Sequence, residues 1–289
     1  VGTSGWGLFV ASYRPMVVDV ATEADDVLQI DVGTGPASAD GLTFHLYVED
    51  PPLDITRHYY EDTAYPVLPA PWALGPWVWR DENEDQAQVE SDLQTLRDLD
   101  LATSGYWIDR PYASGVNTFD FDPGMFTDAQ AMIDQAHDLG FRMALWHTPY
   151  VDPDDAADLH AEAEANGYFP PEYPFVLNNW SALVDFTNPA AFAWWQGLIG
   201  RYTEMGIEGY KLDYAEDVVL GLSGGRFVYR FHDGSDERTM HRRYAMEYHR
   251  VYAETLPASG GFLLSRAGAW GDQAFTSVIW PGDLDASFD

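Results

Sequence analysis

From about residue 72 onward the chain alternates short β-branched and aromatic runs with amphipathic helical stretches, and that alternation limits the fold more than any other feature. "WALGPWVW" (72–79) reads as strand, and "NEDQAQVESDLQTLRDLD" (83–100) places Val89, Leu93, Leu96 and Leu99 at helical spacing. "ATSGYWID" (102–109) is strand-like. "TDAQAMIDQAHDLG" (127–140) is a helix with Thr127 or Asp128 as its N-cap and Gly140 as its stop. The pattern repeats in "FRMALWHTP" (141–149), a strand, and "NPAAFAWWQGLIGRYTEMG" (188–206), a helix with proline in its first turn. It repeats again in "GYKLDYA" (209–215) and the helix "ERTMHRRYAMEYHRVYAETL" (237–256), followed by the strands "GFLLSR" (261–266) and "FTSVIWPGD" (275–283). Six strands with helical crossovers predict a parallel sheet of the α/β class.

Polar groups recur just after these strands: Arg80–Asp81, Asp109–Arg110, His147, Asp213, Arg266 and Asp283. Functional groups at the C-terminal strand ends are the layout of a (β/α)8 TIM barrel. A doubly wound sheet is the competing topology, but the glycine-rich phosphate turn it would carry after an early strand is missing. About six units are visible, and residues 72–289 fall short of the roughly 250 of an eight-unit barrel. The expectation is therefore an incomplete barrel, ending after its sixth strand. Residues 1 to about 55 differ in texture: "GLFVASY", "MVVDVA", "VLQIDVG" and "LTFHLYVE" are short β-rich runs between turns, and "EDPPLD" (49–54) is a break. The opening "VGTSGWGLFVASYRP" does not read as a signal peptide and looks like a chain entered in mid-domain. It leaves the compartment open.

Composition narrows the partners. A formal net charge of −32, from 47 acidic and 15 basic residues, argues against nucleic acid or an anionic membrane surface. No apolar run reaches the roughly 18 residues of a membrane span. The chain has no cysteine, hence no disulfide or thiol chemistry. The eight histidines form no HxxxH or HxH pair, and "DPDDAADLHAEAEA" (152–165) lacks the glycine and spacing of a calcium loop, so it reads as a solvated acidic face. GxSxG, Walker and zinc motifs are missing.

Lys211 is the only lysine; every other basic residue in the count is arginine. On a strand, residues two apart share a face, so Lys211 and Asp213 point the same way. They could form a buried pair that only satisfies itself, at a desolvation cost. A lysine beside a carboxylate also keeps it ionised, and an ionised aspartate at a barrel strand end is a candidate nucleophile. Asp283 in "IWPGD" is either a turn aspartate or the second carboxylate of a glycosidase pair, which retaining enzymes hold about 5–5.5 Å apart. Trp107, Trp146, Trp270 and Trp280 lie on or near strand ends, as core residues or as platforms for the C–H faces of sugars. Asp109 and Arg266 could hold substrate hydroxyls by charged hydrogen bonds.

Several of these stretches, in order, resemble glycoside hydrolase family 31, the α-glucosidase and α-xylosidase family. "PVLPAPWALGPWVWR" (66–80) is similar to its entry into the barrel, and "FDFDPGMFTDAQAMIDQAHDLGFRMALWHTPYV" (119–151) to its second helix and third strand. "VDFTNPAAFAWW" (184–195) is similar to the segment preceding the nucleophile strand, "YKLDYAED" to that strand, and "LLSRAG" (263–268) and "IWPGD" (279–283) to the arginine and acid/base segments. The resemblance covers about 60 to 289, with the end of an N-terminal β-sandwich domain over residues 1–60 and the partial catalytic barrel over 61–289.

The resemblance implies a retaining α-glycoside hydrolase acting on an oligosaccharide or glycoside, without a metal or organic cofactor. Asp213 would be the nucleophile and Asp283 the acid/base. Arg266 would contact sugar hydroxyls and the nucleophile, Asp109 and Trp146 would line the pocket of the non-reducing sugar, and Lys211 matches members with lysine two before the nucleophile. Lys211 and Trp280 complete the expected substrate-binding set. "YWIDRPYASG" departs from the usual pair of aspartates after the second strand, carrying Asp109–Arg110–Pro111 instead, which bears on glucose specificity. The family's histidine after the seventh strand has no counterpart, so the expected pocket is incomplete. The competing readings are a related α-galactosidase family that also places lysine before its nucleophile, a transglycosylase, and a non-catalytic carbohydrate-binding barrel.

Overall fold

The computed structural model describes residues 1–2, 4–33, 41–171, 182–218, 230–280 and 282–283. The N-terminal strands form two antiparallel pairs: β1 (Trp6–Val10) with β4 (Phe44–Val48), and β2 (Met16–Val20) with β3 (Leu28–Val32). Helix α1 (Pro52–Asp62) follows, starting at a proline in its first turn and running across the expected 60/61 boundary. Its Ile55 is buried against Gly7 of β1, where a β-carbon would come within 2.5 Å of the isoleucine. These strands rest on the later part of the chain. Trp270 stacks on Tyr13 at 4.1 Å, meets Phe9 edge-on at 5.2 Å, and donates to the Ser12 carbonyl.

The remainder is the expected parallel sheet. Its six strands stand in chain order: β5 (Trp77–Arg80), β6 (Gly105–Ile108), β7 (Arg142–His147), β10 (Gly209–Leu212), β11 (Phe262–Ser265) and β12 (Val278–Ile279). Helices α2 (Gln86–Asp98), α3 (Ala129–Asp138), α4 (Ala157–Asn166), α5 (Pro189–Met205) and α6 (Glu237–Ala253) run between them. Side-chain caps set several starts: Asp85, Asp128, Asn188 and Asp236 each accept a backbone amide from the first turn. Helix α4 covers the second half of the acidic stretch 152–165 and ends one residue beyond it; the alanines supply helix propensity and Ala163 is buried. A two-residue ribbon, β8 (Tyr150–Val151) with β9 (Ala182–Leu183), stands beside the end of β7.

Alternation along the strands divides the sheet. Tyr106, Ile108, Met143, Leu145, Tyr210, Leu212 and Leu263 face the helices and belong to the main core cluster. The residues between them face inward. Trp77 of β5 stacks on Phe262 of β11 with ring centroids 4.4 Å apart. In a flat sheet these strands would lie about 19 Å apart at four spacings of about 4.8 Å, so the sheet is strongly curled. Gly105 makes that stack possible, because a β-carbon there would sit 2.4 Å from the Trp77 ring.

Gly105→Ala should therefore destabilise the protein by about 1–3 kcal/mol through overpacking, measured by urea unfolding.

Candidate active site

The register decides which side chains meet at the inner face. Trp146 of β7 is level with Lys211 of β10. Asp213, Arg266 and Trp280 follow the ends of β10, β11 and β12, and Asp109 follows β6. Lys211 Nζ donates to Asp109 Oδ2 at 3.0 Å and lies 3.8 Å from Asp213 Oδ2. Its side chain is 12% exposed, and the two carboxylates are buried. The ammonium also faces the Trp280 ring at 4.9 Å and the Trp79 ring at 5.4 Å.

Asp213 is held on both oxygens. Oδ2 accepts from Trp146 Nε1 at 2.8 Å; Oδ1 accepts from Arg266 Nη1 at 3.2 Å and from the Tyr214 amide at 3.0 Å. These donors fix the orientation of the carboxylate, with the ammonium nearby. Asp109 accepts from Lys211, from Trp107 Nε1 at 3.2 Å, and from the Arg110 amide at 3.1 Å. Burial nevertheless raises its pKa above the ordinary carboxylate value, with Lys211 opposing the shift. The structure thus brings together Asp109, Trp146, Lys211, Asp213, Arg266 and Trp280.

Asp283 stands apart. It is exposed, on the segment after β12, and is not among the contacts of Asp213; Pro281 and residues 284–289 lie outside the described residues. Two groups of the expected strand-end row turn the other way by strand parity. Arg80 pairs with Asp92 of α2, at 2.5 and 2.7 Å. His147 is buried, bonded through Nδ1 to the Tyr252 hydroxyl at 2.7 Å, and burial pushes its pKa down to about 3. Trp270 belongs to the contact with the N-terminal strands.

Three contributors escaped sequence reasoning. Glu216 Oε1 lies 2.6 Å from Arg266 Nη2, so the guanidinium bridges Glu216 and Asp213. Burial raises the pKa of Glu216, against the pull of Arg266. Tyr214 lies under the same guanidinium, 3.9 Å from the ring centroid. Tyr214 and Ala215 have φ of 60° and 82°, a conformation that costs non-glycine residues about 1–3 kcal/mol each. Trp79, the third, stacks on Trp107 at 5.3 Å. Glu216 lies within "YKLDYAED", but only the direction of the left-handed turn reveals that it returns to Arg266. Beside the cluster is a cavity of about 340 Å³ whose lining includes Arg110, Tyr112, Asn117 and Trp146. The Arg110 guanidinium lies 5.7 Å from the Trp146 ring centroid. Among the described residues, no group of three or more His, Asp or Glu side chains could hold a metal ion.

A curled parallel sheet with polar and charged groups gathered at its C-terminal edge is the layout of a TIM-barrel active face. Residues 66–289 match the family model of the glycosyl hydrolases family 31 TIM-barrel domain, and the chain belongs to that family. It is 27% identical over 303 residues to an alpha-xylosidase of Emericella nidulans, a match covering 100% of this chain and 37% of that protein. It is also 27% identical over 326 residues to an isomaltosyltransferase of Sporosarcina globispora, covering 100% of this chain and 29% of that protein. Among solved structures, the cycloalternan-degrading enzyme from Trueperella pyogenes shares the fold with a TM-score of 0.87 at 22% identity, over 98% of this chain and 45% of that one. The chain spans about a third of the length of the curated relatives it matches.

Removing the ammonium isolates a buried carboxylate. Lys211→Met should cost about 3 kcal/mol of stability at neutral pH. Without Lys211, the folded-state pKa of Asp109 rises further above its unfolded value, so the native state holds a proton that the unfolded state releases. The loss should therefore shrink toward about pH 4, where Asp109 is protonated more equally in both states. Urea unfolding at both pH values reads the difference.

Proposed function

We propose that the chain carries the catalytic barrel of a retaining α-glycoside hydrolase that removes terminal α-linked sugars. The observation that carries this reading is the Asp213 carboxylate, buried at the end of β10 and bound by Trp146, Arg266 and the Tyr214 amide beside the Lys211 ammonium. Asp213 attacks the anomeric carbon while Asp283 protonates the departing oxygen, giving a β-glycosyl-enzyme. Asp283 then takes a proton from water, which releases the sugar with retention. Asp283 is assigned from its place in "IWPGD", and its exposure suits a group that must reach the leaving group and water. Asp109, Lys211 and Arg266 hold sugar hydroxyls, and Trp146 and Trp280 offer ring faces to the sugar.

Transfer to a sugar acceptor instead of water is the second reading, favoured by the match to an isomaltosyltransferase along the whole chain. It uses the same intermediate. Incubation with an acceptor sugar and analysis of the products separates hydrolysis from transfer.

In the full-length protein, Asp213→Ala should abolish turnover of 4-nitrophenyl α-glycosides, and azide should restore it with a β-glycosyl azide as product. Activity at the wild-type level would remove the nucleophile assignment. Lys211→Arg should lower kcat/KM, because the planar guanidinium does not reproduce the compact charge of an ammonium; unchanged kcat/KM would assign Lys211 a packing role only.

A further inference from the structure

The strands that deliver Asp109, Trp146 and Asp213 are neighbours in the sheet, and a buried polar chain crosses the loops that follow them. Asn117, in the loop after β6, donates from Nδ2 to the Thr148 carbonyl at 2.8 Å, to Thr148 Oγ1 at 2.8 Å and to the Tyr150 carbonyl at 2.7 Å. It is buried and has a φ of 57°, a conformation asparagine tolerates better than most residues. Tyr150, fully buried just after β7, donates its hydroxyl to Asp217 and accepts from the Ala215 amide at 3.4 Å. Asp217 is also buried. Tyr150 therefore grips the chain on either side of Glu216, directly after the two left-handed residues that follow Asp213.

We infer that Asn117, Tyr150 and Asp217 form a positioning latch that fixes the turn after the nucleophile and so sets the direction of the Asp213 carboxylate. The inference rests on Asp213 being the nucleophile. Two consecutive non-glycine residues with positive φ persist only where the surroundings over-determine them, and the latch supplies bonds at Ala215 and Asp217. Released, the turn would relax. The Tyr214 amide would leave Asp213 Oδ1, and Glu216 would withdraw from Arg266. None of the three latch residues needs to touch the sugar for this effect.

Tyr150→Phe keeps the ring and removes only the hydroxyl. Asp217→Asn keeps an oxygen acceptor for it. Both are to be assayed in the full-length protein beside Asp213→Ala, on an aryl α-glycoside that the wild type hydrolyses and on the α-glycosyl fluoride of the same sugar. The fluoride departs with little help from an acid, so a defect seen on both substrates lies on the nucleophile side. Tyr150→Phe is expected to lower kcat by at least about tenfold on both substrates, with KM within about twofold of wild type, while Asp217→Asn stays within about threefold. A purely structural role would lower the folded fraction in urea unfolding and leave kcat per folded molecule unchanged; that result overturns the latch. So does a loss confined to the aryl glycoside, or one that appears only in KM. If Tyr150→Phe fails to fold, Asn117→Gly, which keeps the left-handed backbone but frees the Tyr150 carbonyl, carries the same expectation, and an unchanged kcat in it overturns the latch. An active Asp213→Ala removes the nucleophile reading itself, whereas an inactive Asp213→Ala beside an unaffected Tyr150→Phe removes the latch alone.

Discussion

The site depends on one ammonium, mostly shielded from water, placed between two carboxylates. Lys211 is 3.0 Å from Asp109 and 3.8 Å from Asp213 in a chain whose formal charge is −32. A lone buried carboxylate would take up a proton or draw in water. A carboxylate paired with a cation and bonded on both oxygens can stay charged at low exposure. The two carboxylates are held by different partners. Asp213 has donors on each oxygen. In Asp109 the cost of burial outweighs the pull of Lys211, and its pKa is raised. One cation thus stands between two carboxylates with different surroundings.

The geometry around that cation follows from the curl of the sheet. In a flat sheet, a residue after β6 and one after β12 would be far apart. Curled, the sheet directs Asp109, Trp146, Lys211 and Trp280 at a common point while their odd or even neighbours fill the helix-side core. The stack of Trp77 on Phe262 closes the interior below this point, and Gly105 provides the room. Core and site are therefore the two faces of the same strands, and packing errors on one are felt on the other.

Much of this was legible in the sequence because it obeys two short periods. Helical spacing and turn residues gave helices α2, α3, α5 and α6 and the place of each strand of the sheet, although residues 72–74 of the strand expected at 72–79 lie in a 3-10 turn and the strand expected at 275–283 shortens to Val278–Ile279. Period-two alternation put Lys211 and Asp213 on one face. What the sequence left hidden depends on register and on backbone handedness. Nothing in "YWIDRP" says that Asp109 is the closer partner of Lys211, because that requires knowing how β6, β7 and β10 align. Strand parity turns Arg80 and His147, which stand at strand ends, toward the helices. Glu216 lies in "YKLDYAED", yet the positive φ of Tyr214 and Ala215 sends it to Arg266, and no propensity predicts positive φ at a tyrosine. Helix α4 was hidden by its charge, since an acidic stretch with a single buried alanine shows no apolar stripe.

The solitary lysine can now be explained by the shape of its surroundings. The ammonium faces two indoles, Trp79 and Trp280, and two carboxylates, all within about 5.5 Å. That environment offers one charge several partners of two kinds. It suits a compact charge whose three donors rotate to meet partners in several directions. A guanidinium prefers coplanar, forked acceptors, as Arg266 finds in Asp213 and Glu216. Placed at 211, the same fork would have to satisfy Asp109 and Asp213 from different directions while fitting its plane against both indoles. Arginine therefore occupies the position where two carboxylates can be bridged by one plane, and lysine the position where charge must be offered to a surrounding cage.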